Sequence, residues 1–293
     1  MDRLCAVLMG ALLLPGCAVE IPGTDVGGGD PGASGSGSSS SDPAEGKLSS
    51  NGLALDMNAL ALLDPAPLGH WASESEAVAD SGSLDALLSH PAGAEHLEYI
   101  ALCALDRGQT LSAGGVTYQG TYGLATQWVD STCDESCQRW MSACVLAHAN
   151  GYGISVTISL RGEHQGLVWD DAIAEQYTLQ EAAFYGNVFQ VTGADEPLQP
   201  LFACFGRALV AWDEDATHQE SSFDYLQKRI CGTGDCGLES TGPCTAPIET
   251  ESICSDDAGW DGYYGNCEGE NYDDPLNLPV YPEVITTYLV DEG

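Results

Sequence analysis

Between Cys133 and His148 the chain reads C-x3-C-x6-C-x3-H, four side chains of the kinds that hold zinc. Thr132-x-x-Glu135 has the form of a capping box, and Asn150-Gly151 tolerates the left-handed turn that ends a helix, so the spacing predicts one helix between them. On that helix Cys133, Cys137, Met141, Cys144 and His148 fall within a stripe of about 80°. The same geometry argues against zinc. Cys137 and Cys144 stand about 10 Å apart along the axis, and zinc–sulfur bonds of about 2.3 Å cannot close over that span. Disulfides to separate partners are favoured instead. Cys133 to Cys137 across the first turn is one pairing open to them, and Cys103 to Cys144 another. His148 is expected as a hydrogen-bonded core residue.

A second pattern suggests calcium. In Asp257-Ala-Gly-Trp-Asp261-Gly262-Tyr-Tyr-Gly-Asn-Cys-Glu268, acids fall at positions 1, 5 and 12 and glycine at 6, as in EF-hand loops. Asp257, Asp261 and Glu268 are therefore the candidate ligands, although Gly259 stands where an oxygen donor belongs and no helix pattern flanks the segment. No other cofactor is implied. For hydrolysis the chain has no G-x-S-x-G, H-E-x-x-H, phosphate-binding loop or dinucleotide fingerprint. Its histidines, His70, His90, His96, His148, His164 and His218, are scattered without a paired nucleophile. Trp260, Tyr263 and Tyr264 lie in a loop-like region and are the candidate aromatic surface for stacking on sugar rings. Arg139, Arg161 and Arg207 stand out because cations are scarce; each is expected to be fixed by a carboxylate or a main-chain carbonyl.

The elements that must position these residues are mixed. Helix is expected over Leu84 to Leu105, interrupted near Pro91, and over Ser222 to Ile230. Ile154 to Leu160 alternates apolar and hydroxyl residues and reads as a strand; Gly115 to Leu124 suits a strand with a turn. Gln176 to Phe189 is ambiguous, Leu201 to Trp212 is a further apolar run, and Pro279 to Val290 suits a terminal strand. Residues from about 232 to 293 are acidic, and Gly232 to Asp274 should be mostly loops held by disulfides. Helices and strands do not alternate regularly, which points to α+β. Two seven-residue units begin at Asn51 and Asn58, too few for a solenoid.

The N-terminus supplies an address. Arg3 precedes an apolar run, Leu4 to Leu14, of signal-peptide length. Leu14-Pro15-Gly16-Cys17 resembles the lipobox of bacterial lipoproteins, which implies a signal peptide over 1–16, cleavage before Cys17 and acylation of that residue. Each buried methylene contributes about 0.8 kcal/mol, so several acyl chains make a durable membrane anchor. Ala18, not Asp, follows the lipid site, which by resemblance to Gram-negative sorting favours the outer membrane. Residues 17–50, rich in Gly and Ser, are expected as a lipidated start and disordered tether with a reach of roughly 30 Å. A single disulfide-braced domain over 51–293 follows. It holds ten cysteines: Cys103, Cys133, Cys137, Cys144, Cys204, Cys231, Cys236, Cys244, Cys254 and Cys267. An even number in an exported chain reads as up to five disulfides, whose connectivity the spacing leaves open.

The formal charge of −36 makes nucleic acid an improbable partner, because phosphate binding needs a cationic surface. No Lys or Arg follows Arg229, while fourteen Asp and Glu do. The segments EYIALCAL (Glu98–Leu105), GLATQW (Gly123–Trp128), CQRWMSACVLAHANGYGISVTISLRG (Cys137–Gly162) and AFYGNVF (Ala183–Phe189) together resemble a family of uncharacterised exported proteins from myxobacteria. That resemblance implies lipoprotein status and a shared domain, and supplies no catalytic residue. The function expected is therefore a structural or binding domain at the cell envelope, held to the membrane by its lipid. The alternative is an exported hydrolase with an unrecognised site.

Overall fold

The computed structural model describes residues 48–167, 170–190, 201–213, 221–234, 236–245, 253–257, 262–269 and 278–291. The signal peptide, Cys17 and the tether up to residue 47 lie outside the described residues, as do Trp169, Trp260 and Asp261. In chain order the elements are β1 (Leu48–Asn51), α1 (Met57–Leu60), β2 (Gly69–Trp71), β3 (Glu76–Ala79), α2 (Asp85–Ser89), α3 (Gly93–Ala104), β4 (Thr110–Ala113), β5 (Val116–Gln119), α4 (Glu135–His148), β6 (Val156–Arg161), α5 (Asp171–Gln176), β7 (Leu179–Gly186), β8 (Leu201–Phe205), α6 (Arg207–Asp213), α7 (Ser222–Cys231), β9 (Leu238–Pro243), β10 (Cys254–Asp257), β11 (Tyr264–Glu268), β12 (Val280–Tyr281) and β13 (Ile285–Leu289). The fold is α+β and braced by disulfides, as expected. Among the described residues no helix is long and apolar enough to cross a membrane.

A six-stranded sheet, ordered β1-β6-β13-β7-β8-β9, forms the centre and is antiparallel except for β8–β9. Helix α4 packs on β7, β13 and β1, and α6 packs on β7. The small sheet β10-β11-β12 covers the opposite side, where Tyr185 stacks on Phe202 and the tilted ring of Tyr281 meets both, in a cluster that also holds Cys204, Cys244, Cys254 and Cys267. A four-stranded sheet, β2-β3-β4-β5, accompanies α2 and α3. Gly114 and Gly115, at φ +59° and +82°, make the two-residue turn between β4 and β5; two positive φ values in succession suit glycine and match the twist of a hairpin. The turn thus precedes the strand expected from Gly115 onward, and β4 had no clear signal of its own.

Helix α4 forms where the sequence places it, with different punctuation. Its N-cap is Asp134, whose carboxylate accepts from the Cys137 N–H at 2.9 Å, not Thr132. It stops at His148 because Ala149 turns extended, at φ −62° and ψ 137°, before Asn150-Gly151 is reached. The last carbonyls of this helix would otherwise lack donors. That of His148 accepts from the Gly52 and Leu53 N–H groups at 3.0 and 3.1 Å, and those of Ala147 and Ala149 accept from the Arg229 guanidinium.

Two further expectations are corrected. Leu48–Asn51, within the stretch assigned to the tether, is a strand, because it pairs with Val156–Ser159 along the sheet edge. Among the described residues the acidic C-terminal part carries strands as well as loops: β9, β10 and β11 lie in it, held by disulfides and by the buried cluster of Tyr185, Phe202, Tyr264 and Tyr281. The two seven-residue units also diverge, since Asn51 closes a strand and Asn58 sits in a helical turn.

Candidate functional site

Strand β1, helix α4 and the segment after β5 bring three polar side chains together. His148 is fully buried, and its Nδ1 lies 2.7 Å from the Cys144 carbonyl one turn earlier. A carbonyl only accepts, so Nδ1 carries the proton and Nε2 is the acceptor. Nε2 lies 2.6 Å from Ser49 Oγ, which lies 2.7 Å from the hydroxyl of the buried Tyr122. Burial pushes His148 down to about 4, aided by the Arg229 charge and opposed by the Cys144 carbonyl. Burial raises Tyr122, against the effect of its hydrogen bond with Ser49. Ser49 itself is partly exposed at the sheet edge. A serine hydroxyl against an unprotonated imidazole nitrogen is the pairing that activates a nucleophile. Here the imidazole is oriented by a carbonyl instead of a carboxylate. The expectation of a hydrogen-bonded core histidine agrees with this arrangement. The Ser49 partner went unseen because it lies in the stretch read as tether.

A second cluster ties α7 to β7. Along the β7–β13 ladder Gln180 opposes Tyr288 and Ala182 opposes Thr287, so Glu181 is the extra residue of a bulge. Gln180 remains on the small-sheet side, where its Nε2 donates to Tyr288 OH and its Oε1 accepts from Tyr264 OH. Glu181 is turned the other way, to meet Arg229 through Nε at 3.2 Å and Nη2 at 3.1 Å. Tyr225 OH and Thr287 Oγ1 donate to the same carboxylate. Burial alone would raise Glu181, but the Arg229 charge and these hydrogen bonds hold it below the ordinary carboxylate range. Both charges are 2 % exposed or less and every oxygen of the carboxylate is used, which suits a structural pair. Of the arginines singled out beforehand, Arg139 meets Glu135 at 2.5 Å and Arg161 donates to the Tyr177 carbonyl at 2.6 Å, lying 3.5 Å over the Tyr288 ring. Arg207 opens α6.

The cysteines pair as Cys103–Cys144, Cys133–Cys137, Cys204–Cys244, Cys231–Cys236 and Cys254–Cys267. Two groups of potential metal ligands occur among the described residues, Cys103 with Cys144 and His148, and Cys204 with Cys244 and Cys254. In both, the sulfurs are already joined in disulfides and are not thiolate ligands. Two of the three calcium candidates fall on the paired strands β10 and β11. Asp257 pairs with Tyr264 at one end of the β10–β11 hairpin, while the Glu268 N–H bonds to the Ile253 carbonyl at the other. Four residues of extended chain separate the two ends, about 13 Å at strand rise. Asp261 lies outside the described residues.

The three aromatic candidates part company. Tyr264 is core, 1 % exposed. Trp260 lies outside the described residues. Tyr263 alone reaches an open depression of about 370 Å³, whose wall is otherwise built by Arg161, Glu163, His164, Gln165 and Leu167. No protein-family model, curated protein or solved structure matches the chain.

Proposed function

We propose that the chain is an exported lipoprotein, held on the outer membrane through acylated Cys17, whose folded domain acts by binding at the cell envelope. The observation that supports this reading most is the pairing of all ten cysteines beyond Cys17 into disulfides. Such bridges persist in oxidising compartments and are rare where thiols are kept reduced. The lipobox-like Leu14-Pro15-Gly16-Cys17 and the resemblance to exported proteins of myxobacteria point the same way. The full chain, expressed in a Gram-negative host fed labelled palmitate, should take up label and sediment with membranes. The Cys17→Ala variant should lose the label. Recovery of the unlabelled wild-type chain in the cytosol with free thiols overturns the proposal.

A second reading, an exported hydrolase, is favoured by Ser49 Oγ lying 2.6 Å from His148 Nε2. In that reaction Oγ attacks an ester carbonyl carbon as its proton passes to Nε2, and the imidazolium then gives that proton to the departing alkoxide; water later cleaves the acyl-serine. It ranks second because His148 is buried away from solvent and is a weakened base at about 4. Fluorophosphonate treatment of the oxidised protein decides between the two. An unlabelled Ser49 keeps the binding reading; a label on Ser49 that the Ser49→Ala variant loses replaces it.

A further inference from the structure

Resting on the binding reading, we infer that the depression beside Tyr263 is a sugar site that takes one pyranose ring. Its volume, about 370 Å³, is at the small end of ligand pockets, which span about 300–1,000 Å³. A second depression of about 330 Å³, between β3, α2 and the β4–β5 turn, has no aromatic ring in its wall.

The segment after β6 is set before any ligand arrives. His164 N–H donates to the Gly162 carbonyl, Leu167 N–H donates to the His164 carbonyl, and Gly166 N–H donates to His164 Nδ1 at 2.9 Å. The last of these makes Nδ1 an acceptor and leaves the imidazole proton on Nε2. Gly166 lies so close to the Tyr122 carbonyl that any larger residue would collide with it, which seats the turn directly on the backbone beneath. The edge of the Trp140 ring meets the His164 ring at 5.2 Å. A turn with its conformational entropy already lost binds without a further ordering cost.

The wall is amphipathic in a particular way. Tyr263 and Leu167 offer apolar surface, and around them stand the exposed carboxylate of Glu163, which accepts, and the exposed amide of Gln165, which both donates and accepts. A pyranose ring has the complementary form, with C–H bonds on its faces and hydroxyls at its edge. Aromatic faces stack on such rings, and mixed donors and acceptors suit hydroxyls, which also do both. An extended aliphatic ligand would displace water from Glu163 and Gln165 and return no hydrogen bond. A polyanion would meet the field of a chain with formal charge −36.

The test uses the oxidised Cys17→Ala protein on an array of neutral hexoses and N-acetylhexosamines, followed by titration of its tryptophan fluorescence with the best free monosaccharide. Saturable binding is expected. Tyr263→Ala should weaken it about tenfold, the equivalent of about 1.4 kcal/mol, while Tyr263→Phe, which keeps the ring, should stay within about twofold. Gln165→Ala, at an exposed position, provides a second variant without risk to the core and should weaken binding several-fold. No binding to any sugar at millimolar concentration, or binding that neither alanine variant weakens, overturns the site. Membrane anchorage is scored separately by palmitate label, so loss of the sugar site and loss of the lipoprotein reading are distinguishable.

Discussion

The imidazole of His148 stays neutral well into the acid range because burial removes the water that its charged form needs. In the unfolded chain it takes a proton near its ordinary value of 6.5, but in the folded chain only near 4. Between those values the unfolded chain alone binds the proton. The contribution of His148 to stability is therefore complete above pH 6.5 and is lost as pH falls toward 4. The gap corresponds to about 3 kcal/mol. His96, also buried and also pushed down by desolvation, acts with the same sign. The melting temperature should therefore fall from pH 7 to pH 4, and His148→Gln should flatten part of that slope while His96 keeps the rest. An unaltered slope in the variant, followed by circular dichroism, would show that His148 takes its proton before unfolding. At this scale the sequence was read well for His148 and the disulfide cysteines. It was silent on Arg229, whose partners Glu181, Ala147 and Ala149 lie far away in the chain, beyond the reach of any local pattern.

Elements with strong local signals were legible. Helices α3, α4 and α7 and strand β6 carry periodicity of their own, α4 and α7 have capping side chains in Asp134 and Ser221, and Pro91 does separate α2 from α3. Strands β9 to β11 were not, because LESTGP, CSDD and YGNCE are poor in β-branched and aromatic residues and their extended form comes from neighbours and bridges, the context that dominates strand preference. The bridges themselves differ in reach. Cys103–Cys144 joins α3 to α4 over 41 residues, whereas Cys133–Cys137 spans 4. Loop-closure entropy assigns about 4 kcal/mol to the former and about 2 kcal/mol to the latter. Replacing Cys103 and Cys144 together by alanine should thus lower stability in urea by more than replacing Cys133 and Cys137 together. The reverse order would mean that local capping at the start of α4 outweighs the tie between the two helices. The sugar depression belongs to this scale too. Tyr263 was visible as an aromatic candidate, but the turn from Gly162 to Leu167 that faces it offered no motif, since only the fold brings the two together.

For the whole molecule, the fold class and the disulfide bracing followed from composition and mixed patterning, while sheet order did not. Nothing local states that β13 lies between β6 and β7, or that β1 closes one edge. That order has a consequence in time. β13 comes after every other described strand in the chain, yet it fills an inner place of the six-stranded sheet. A polypeptide emerging from its amino end holds β6 and β7 apart until that last segment arrives, and contacts so distant in sequence are slow to form. The Cys103–Cys144 link can close long before then. Assembly would proceed with one corner already sutured and the middle of the sheet left open to the end.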